Sequence, residues 1–353
     1  MKNRYNANDI ILVAAFLVLL FLPCVLYLNT LIHHSLPETG EKEQTLKAKI
    51  ASYETLLTDS LTLKRELISF YYYLKTKVLK ESNITPTVIQ GSNDWLYYSG
   101  YGDGYALESY TGQLILADST LLKIKHNLEA QERWLRKRNI DFYLIMCPNK
   151  QTIYPEYFPY KKGITVADQI MSYLKTNTTL KIIDLREALI KAKTDQHYLY
   201  YKTDSHWTSY GGFIGYTEIL NQLSINYPEL KPVPMSDYKI TVEEVSGNDI
   251  AEMVNLEQYY KDYKYIFEPV TTKEVSDKKN VLVFRDSFFK SLRPFFANHF
   301  TLAERPHQWN SFDYKFIEEV NPEIVFYQVV ERYLTAFSRE NPAELNEDAT
   351  VMN

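Results

Sequence analysis

The sequence predicts an α/β domain in which helices cover a mainly parallel sheet. Short apolar runs end abruptly in charged or turn residues, as in strands that are buried on both faces. The clearest of these runs span residues 141–147, 180–185, 281–284 and 323–330. Because helical patterns alternate with these runs, we expect the strands to be parallel and the helices to pack on the sheet.

The helices are indicated by apolar spacing and by capping residues. Asp118 and Ser119 are typical N-cap residues for a helix that runs to about residue 138. The helix at 209–223 contains three glycines, which permit close packing. The other predicted elements are an aromatic strand after the turn at 91–94, helices at 167–176 and 186–193, a strand at 197–201, an inserted loop or hairpin region at 228–277 and a helix that starts at Phe288.

Composition and charge exclude several classes of function. The chain has 353 residues and a formal charge of −5, without a stripe of Lys and Arg, so nucleic acid is not an expected partner. Its two cysteines are Cys24, inside an apolar run, and Cys147, so no disulfide and no thiolate metal site is expected. The seven histidines are scattered without metal-binding spacing, which argues against a metal enzyme.

The N-terminal region predicts a membrane anchor. Residues 10–28 are 19 uncharged, mostly apolar positions, enough for a helix to cross a bilayer. Lys2 and Arg4 precede this run, so the positive-inside rule places the N-terminus in the cytoplasm and the rest of the chain outside. A cleaved signal peptide is the alternative, although no small-residue cleavage site follows the run.

These patterns predict that the chain is divided into four segments. The cytoplasmic N-terminus and transmembrane helix occupy residues 1–33, and a charged helical stalk occupies 34–84. The globular domain is expected at 85–340, with a disordered tail at 341–353.

Ser287 is the first candidate catalytic residue. It follows the apolar strand 281–284 through Arg285 and Asp286, where the strand gives way to a helix. An α/β protein can present a nucleophile at such a junction, because nearby backbone N–H groups can hold an oxyanion. An Asp-Ser pair is also a common helix N-cap, so the serine alone does not establish a site.

Asp204 and His206 are candidates for the acid and the base that a serine nucleophile requires. They are two residues apart, so in an extended segment their side chains leave on one face and a carboxylate can bind one imidazole nitrogen. The other nitrogen can then accept a proton from Ser287. The alternatives are a structural or solvated loop histidine and, for Trp207, a core anchor rather than a ligand platform.

Two motifs carry a resemblance to a known family. TDSHW at 203–207 and VLVFRDSF at 281–288 resemble the signatures of the DHHW and alginate O-acetyltransferase group of SGNH-hydrolase-like proteins. Weaker matches in the same order are GSNDWLYY, CPNKQTIYPE and PEIVFYQVVERYL, so the resemblance covers about residues 88–334.

The resemblance implies a three-layer α/β/α domain of SGNH type, circularly rearranged so that the Asp-x-His element precedes the serine. It implies that Ser287, His206 and Asp204 form the triad. The wider pattern has glycine where this chain has Arg285, which puts one oxyanion donor in doubt. Further candidates for acceptor, oxyanion or pocket contacts are Arg285, Gln328, Glu331, Arg332, Asn149, Lys150 and Trp207. Arg332 has a buried ion pair as its alternative role.

The activity implied by the resemblance is O-acetylation of a secreted or cell-envelope polysaccharide through an acyl-serine. No cofactor is expected. The acetyl donor would be a membrane-bound O-acyltransferase-type partner, since acetyl-CoA is cytoplasmic and the domain is expected outside. Two alternatives remain: an acetyl esterase with the same triad, and a non-catalytic anchored protein that binds glycan or a synthase.

Overall fold

The computed structural model describes residues 13–14, 16–18, 21, 64–194, 196–270, 278–306 and 312–339. The chain divides into two compact units, Met1–Leu74 and Lys75–Asn353. Among the described helices, none is both long enough and apolar enough to cross a membrane. Most of the predicted anchor at residues 10–28, most of the predicted stalk and the predicted C-terminal tail lie outside the described residues.

The described strands are β1 (Val88–Gln90), β2 (Leu96–Tyr98), β3 (Asp141–Cys147), β4 (Ile182–Asp184), β5 (Tyr238–Ser246), β6 (Lys261–Pro269), β7 (Lys279–Arg285), β8 (Phe300–Pro306) and β9 (Ile324–Val330). The described α-helices are α1 (Lys64–Tyr73), α2 (Ala106–Tyr110), α3 (Asp118–Arg136), α4 (Lys150–Ile153), α5 (Val166–Asn177), α6 (Arg186–Lys191), α7 (Ser209–Leu223), α8 (Asp249–Glu252), α9 (Phe289–Phe296) and α10 (Tyr314–Val320).

Five strands form the central sheet in the order β4-β3-β9-β7-β8, and each pairing in it is parallel. The predicted α/β fold with a parallel sheet is therefore confirmed. The central strand β9 lies between β3 and β7, so the carboxyl ends of all three strands meet at one edge. In open α/β sheets this edge is where ligands bind.

Helices cover both faces of the sheet, because each strand sends alternate side chains into two separate apolar cores. On β9, Phe326 belongs to one core and Tyr327 to the other. The first core includes apolar residues of α7 and α9, and the second includes residues of α3, α5 and α10. The three-layer arrangement follows from this double burial.

The inserted region contains an antiparallel hairpin of β5 and β6, in register from Tyr238 opposite Pro269 to Ser246 opposite Lys261. Apolar side chains on one side of this hairpin join the core that contains α7. The alternating pattern of the region is thus explained by burial of one side of the hairpin.

Two elements differ from the sequence-based expectation. Residues 197–201 form no strand; Tyr200 makes a single bridge to Trp207, because the chain turns back on itself and satisfies its backbone groups locally. Strand β8 was not predicted. It is an edge strand with only one fully buried residue, Phe300, and so lacks the continuous apolar run of a central strand.

Candidate active site

Ser287, His206 and Asp204 form a continuous chain of hydrogen bonds at the carboxyl edge of the sheet. Ser287 Oγ lies 2.7 Å from His206 Nε2, and His206 Nδ1 lies 2.7 Å from Asp204 Oδ1. All three side chains are partly accessible to solvent. The geometry is that of a nucleophile, a base and an orienting carboxylate.

The contact between Asp204 and His206 arises from a turn and not from the extended segment that the sequence suggested. Asp204 Oδ1 accepts a hydrogen bond from the backbone N–H of His206 at 2.8 Å as well as from its ring nitrogen. A short carboxylate side chain often closes such a local turn with the residue two positions ahead. The turn fixes both the backbone and the ring of His206.

The inserted region supports the loop that carries Asp204 and His206. Asp262 on β6 accepts hydrogen bonds from the backbone N–H groups of Lys202 and Thr203, at 2.9 and 2.8 Å, and from the Thr203 hydroxyl at 2.6 Å. Asp249, the first residue of α8, accepts the Ser205 N–H at 3.1 Å. The insertion therefore builds part of the site.

Ser287 is held in place through its neighbour Asp286. One carboxylate oxygen of Asp286 accepts the Val330 N–H at 2.6 Å, and the other accepts the Phe288 N–H at 2.9 Å. Gln328 donates from Nε2 to the second oxygen at 2.8 Å and accepts the Asp286 N–H at 3.1 Å. Gln328 is completely buried, so the structure places it behind Asp286 and away from solvent.

Arg285 occupies the position where the wider family pattern has glycine. Its Nε lies 3.0 Å from a carboxylate oxygen of Glu304 on β8, and Arg293 Nη2 lies 2.5 Å from the same oxygen. The Arg285 side chain is therefore directed to the neighbouring strand.

Trp207 is completely buried in the first core. Its indole Nε1 donates to the backbone oxygen of Phe288 at 2.9 Å, which joins the His206 loop to the segment after Ser287. The glycine at 215 packs closely against this ring, since an added Cβ would lie 3.1 Å from two ring carbons. The structure thus places Trp207 as a core anchor.

Arg332 and Asn149 border a small cleft next to the His206 loop, together with Tyr98, Ala106, Lys150, Gln151 and Ser205. Arg332 Nη1 donates to Asn149 Oδ1 at 3.3 Å, and Arg332 Nε is buried and has no hydrogen-bond partner among the described residues. The volume of the cleft is only about 10 Å³, enough for a single water molecule.

Glu331 and Lys150 are buried beneath this cleft. The Glu331 carboxylate accepts the Asn149 N–H at 2.8 Å and the Thr152 hydroxyl at 2.7 Å. Burial raises the pKa of Glu331 against the opposing effect of these hydrogen bonds. Lys150 donates to three backbone carbonyls of the loop that carries Asp204.

The two carboxylates near His206 titrate differently. Burial raises the pKa of Asp204, but the hydrogen bonds from His206 and the charge of Lys150 outweigh burial and lower it below its usual value. Burial and the negative charge of Asp204 raise the pKa of Asp249 to about 6. Asp204 is accordingly the permanent anion of the site.

Among the described residues, one group has ligand atoms close enough to hold a metal ion: Asp204, His206 and Asp249, whose atoms lie within 4.8 Å of one another. The Asp249 oxygen lies 3.9 Å from His206 Nδ1. That nitrogen already lies 2.7 Å from Asp204 Oδ1, and a hydrogen bond from the imidazole to the carboxylate accounts for this contact without a metal ion.

Three supporting acids were missed from the sequence. Asp249 and Asp262 lie in the insertion, more than 40 residues after the loop that they hold, and no local pattern reports such contacts. Asp286 had a usable signal, since its place before Ser287 at the start of a helix predicts an acceptor for a backbone N–H.

Residues 88–289, which include all three members of the hydrogen-bonded chain, match the family described as ALGX, SGNH hydrolase-like domain, acetyltransferase AlgX. No curated protein sequence matches the chain significantly.

Solved structures of similar fold include PatB1 of Bacillus cereus, with a TM-score of 0.53 and 16% identity over 71% of this chain and 98% of PatB1. PatB1 with a sulfonyl adduct has a TM-score of 0.53 and 15% identity, over 72% of this chain and 97% of that one. The O-acetyltransferase domain of Pseudomonas putida AlgJ has a TM-score of 0.47 and 17% identity, over 70% and 92%. At these identities the likeness of the structures concerns the fold. Because the family match spans more than half of the 353 residues, the chain belongs to the family of SGNH hydrolase-like AlgX acetyltransferase domains.

Proposed function

We propose that the protein is a serine O-acetyltransferase that moves an acetyl group through Ser287 to hydroxyl groups of a secreted or cell-envelope polysaccharide. The observation that carries the proposal is the pair of 2.7 Å contacts that join Ser287 to His206 and His206 to Asp204. The membership in an acetyltransferase family supports the acyl chemistry.

The reaction proceeds by double displacement. Ser287 Oγ attacks the acetyl carbonyl while His206 Nε2 takes the hydroxyl proton, and the donor oxygen leaves with that proton. A sugar hydroxyl then gives its proton to His206 and attacks the acyl ester, which releases the acetylated sugar and returns the proton to Ser287. Asp204 keeps the ring in the required tautomer and stabilises the imidazolium in both steps.

Two donors are available for the oxyanion. The backbone N–H of Ser287 makes no hydrogen bond to the described residues, and it is carried by the nucleophile itself. The second proposed donor is Asn149 Nδ2. Asn149 follows β3 and borders the cleft beside the His206 loop, and it is its Oδ1 that accepts from Arg332. Such donors stabilise the tetrahedral intermediate in acyl transfer.

The acetyl donor and the location are part of the proposal. The run at residues 10–28 supports a single membrane anchor with the domain on the extracytoplasmic side. A domain placed there needs an acetyl group passed across the membrane, which supports a membrane-bound O-acyltransferase-type partner. No cofactor enters the proposed steps, because the three side chains suffice for the proton transfers.

The experiment incubates the full-length chain with a chromogenic acetyl ester, with and without oligosaccharides from candidate envelope polysaccharides, and measures products by mass spectrometry. Acetylated oligosaccharide that disappears in Ser287→Ala is the expected result. Free acetate alone, at an equal rate with and without acceptor, would contradict transfer and support an esterase. Glycan binding without any turnover would support a non-catalytic role. Ser172→Ala, which replaces an exposed serine on α5, is the matched control.

A further inference from the structure

Lys150 has an environment that is unusual for a lysine. It is the first residue of α4, directly beyond the carboxyl end of β3, and only 3% of it is exposed. Buried lysines normally have an anionic partner. No carboxylate of the described residues lies within salt-bridge distance of this ammonium group. Its charge is therefore satisfied in another way.

The ammonium group donates to three backbone carbonyls, those of Tyr201 at 3.1 Å, Lys202 at 2.9 Å and Asp204 at 2.7 Å. An ammonium group has three hydrogens, so each is used. The shortest of the three bonds goes to Asp204, the residue whose side chain orients His206. We propose that Lys150 is a positioning residue, which sets the Asp204–His206 pair against Ser287 by binding the carbonyl side of their loop. The proposal rests on the function proposed above.

The opposite side of the same loop is held by an anion. Asp262 accepts the N–H groups of Lys202 and Thr203, whereas Lys150 binds carbonyls of the same stretch. The loop thus lies between a buried cation on the sheet edge and a buried anion on the hairpin. These contacts fix the loop, which has no regular secondary structure, at the edge of the sheet where Ser287 lies.

A charged donor suits this position better than a neutral one. Hydrogen bonds from an ionised donor are roughly twice as strong as neutral bonds. Two aromatic rings also face the ammonium group, Tyr97 at 5.0 Å and Trp95 at 5.7 Å. The cation lies among negative charges that it partly balances. The charges that act on it are those of Asp262, Asp204 and Asp249. Tyr97 faces it as well, and Arg332 borders the same cleft.

Burial lowers the pKa of Lys150 to about 8, against the opposing charges of Asp262, Asp204 and Asp249. Deprotonation removes one donor and the charge, which loosens the loop. The wild-type rate is therefore expected to fall on the alkaline side with a midpoint near this pKa. If Lys150 only stabilised the fold, the rate would not fall at alkaline pH while the protein stays folded.

The test uses the full-length chain with a chromogenic acetyl ester and no sugar acceptor, so that it reports acylation of Ser287. The variants are Lys150→Met, Lys150→Arg and, as control, Lys175→Met, which replaces an exposed lysine on α5. Thermal unfolding is followed for each variant across the same pH range.

Lys150→Met is expected to lower kcat by about 100-fold with little change in KM, as for a small misplacement of catalytic groups. Lys150→Arg is expected to recover part of that loss and to lose the alkaline limb, since arginine stays protonated. Lys175→Met is expected to behave as wild type. Wild-type kcat within a few-fold in folded Lys150→Met would overturn the proposal.

If Lys150→Met does not fold, the pH profile of the wild-type rate tests the role of Lys150. A reversible alkaline loss of rate in a protein that remains folded supports the proposal, and a flat profile through that range overturns it. Ser287→Ala separates the two proposals. If Ser287→Ala is inactive while Lys150→Met is fully active, the serine mechanism stands and the role of Lys150 fails. If Ser287→Ala remains active, the serine mechanism itself fails.

Discussion

Gln328 and Asp286 hold each other by two reciprocal hydrogen bonds. Gln328 Nε2 donates to Asp286 Oδ1 at 2.8 Å, and the Asp286 N–H donates to Gln328 Oε1 at 3.1 Å. Gln328 lies in the middle strand of the sheet, so this pair fixes the chain just before Ser287 to the most buried part of the fold. The position of Ser287 is therefore set by a residue that does not reach the solvent.

Gln328→Met is expected to weaken both stability and activity. It keeps the approximate volume but leaves the Asp286 N–H unpaired and removes one donor to the carboxylate, which costs about 1–3 kcal/mol of unfolding free energy. Because the loss of these hydrogen bonds displaces Ser287, kcat is expected to fall by about 100-fold. Denaturant unfolding and hydrolysis of a chromogenic acetyl ester measure the two effects.

Gln222→Met is the matched control, because Gln222 is exposed on α7 and bonds only a nearby glutamate side chain. It should change neither quantity. Wild-type kcat in folded Gln328→Met would show that the pair with Asp286 does not position the serine.

Arg285→Met is expected to leave catalysis nearly unchanged. The Arg285 guanidinium contacts Glu304 on the edge strand, so its loss removes an ion pair that contributes about 0–1 kcal/mol where it is solvent-exposed and somewhat more where it is partly buried. Unfolding free energy should fall modestly and kcat should stay near wild type.

The control for Arg285 is Arg293→Met, which removes the more exposed partner of the same Glu304 and should cost less stability. A tenfold fall in kcat for Arg285→Met, equal to about 1.4 kcal/mol of barrier, would mean instead that Arg285 acts on the reacting groups.

Asp249 should make stability depend on pH in the acidic range. Burial and Asp204 raise its pKa to about 6 in the folded protein, so between its ordinary value and about 6 the folded state binds a proton that the unfolded chain lacks. Stability from this group is therefore lost as pH rises through that window. Asp249→Asn has no such group, so the unfolding free energy of the variant minus that of wild type should increase as pH rises from about 4 to about 6 and should be constant above that range.

Thermal unfolding of both proteins at several pH values measures this difference. Glu243→Gln, an exposed carboxylate on β5, is the control and should show no such trend. A difference that is constant with pH, or that has the opposite sign, would contradict the account of Asp249.

The sequence was informative where a pattern is local. Strand β3 and helix α7 have the predicted bounds, because a continuous apolar run and a regular apolar spacing are set by burial alone. Ser287 and the Asp204–His206 pair could be chosen because strand ends in a parallel sheet meet at one edge.

The supporting contacts could not be predicted, because they join residues that are far apart in sequence. Gln328 was expected to face a ligand, yet the structure places it against Asp286, since its strand is covered on both sides. The prediction of a strand at 197–201 was wrong for a similar reason. Its apolar residues are buried by the fold as a whole, whereas its backbone partners lie in the following turn.

The most direct test of the account is the detection of acetylated Ser287. The full-length protein is mixed with an acetyl ester in the absence of acceptor, quenched in acid at early times, digested and analysed by peptide mass spectrometry. One added acetyl group is expected on the peptide that contains Ser287, and this group is expected to be lost when a sugar acceptor is added. Acetylation at another residue, or undiminished turnover in Ser287→Ala, would contradict it.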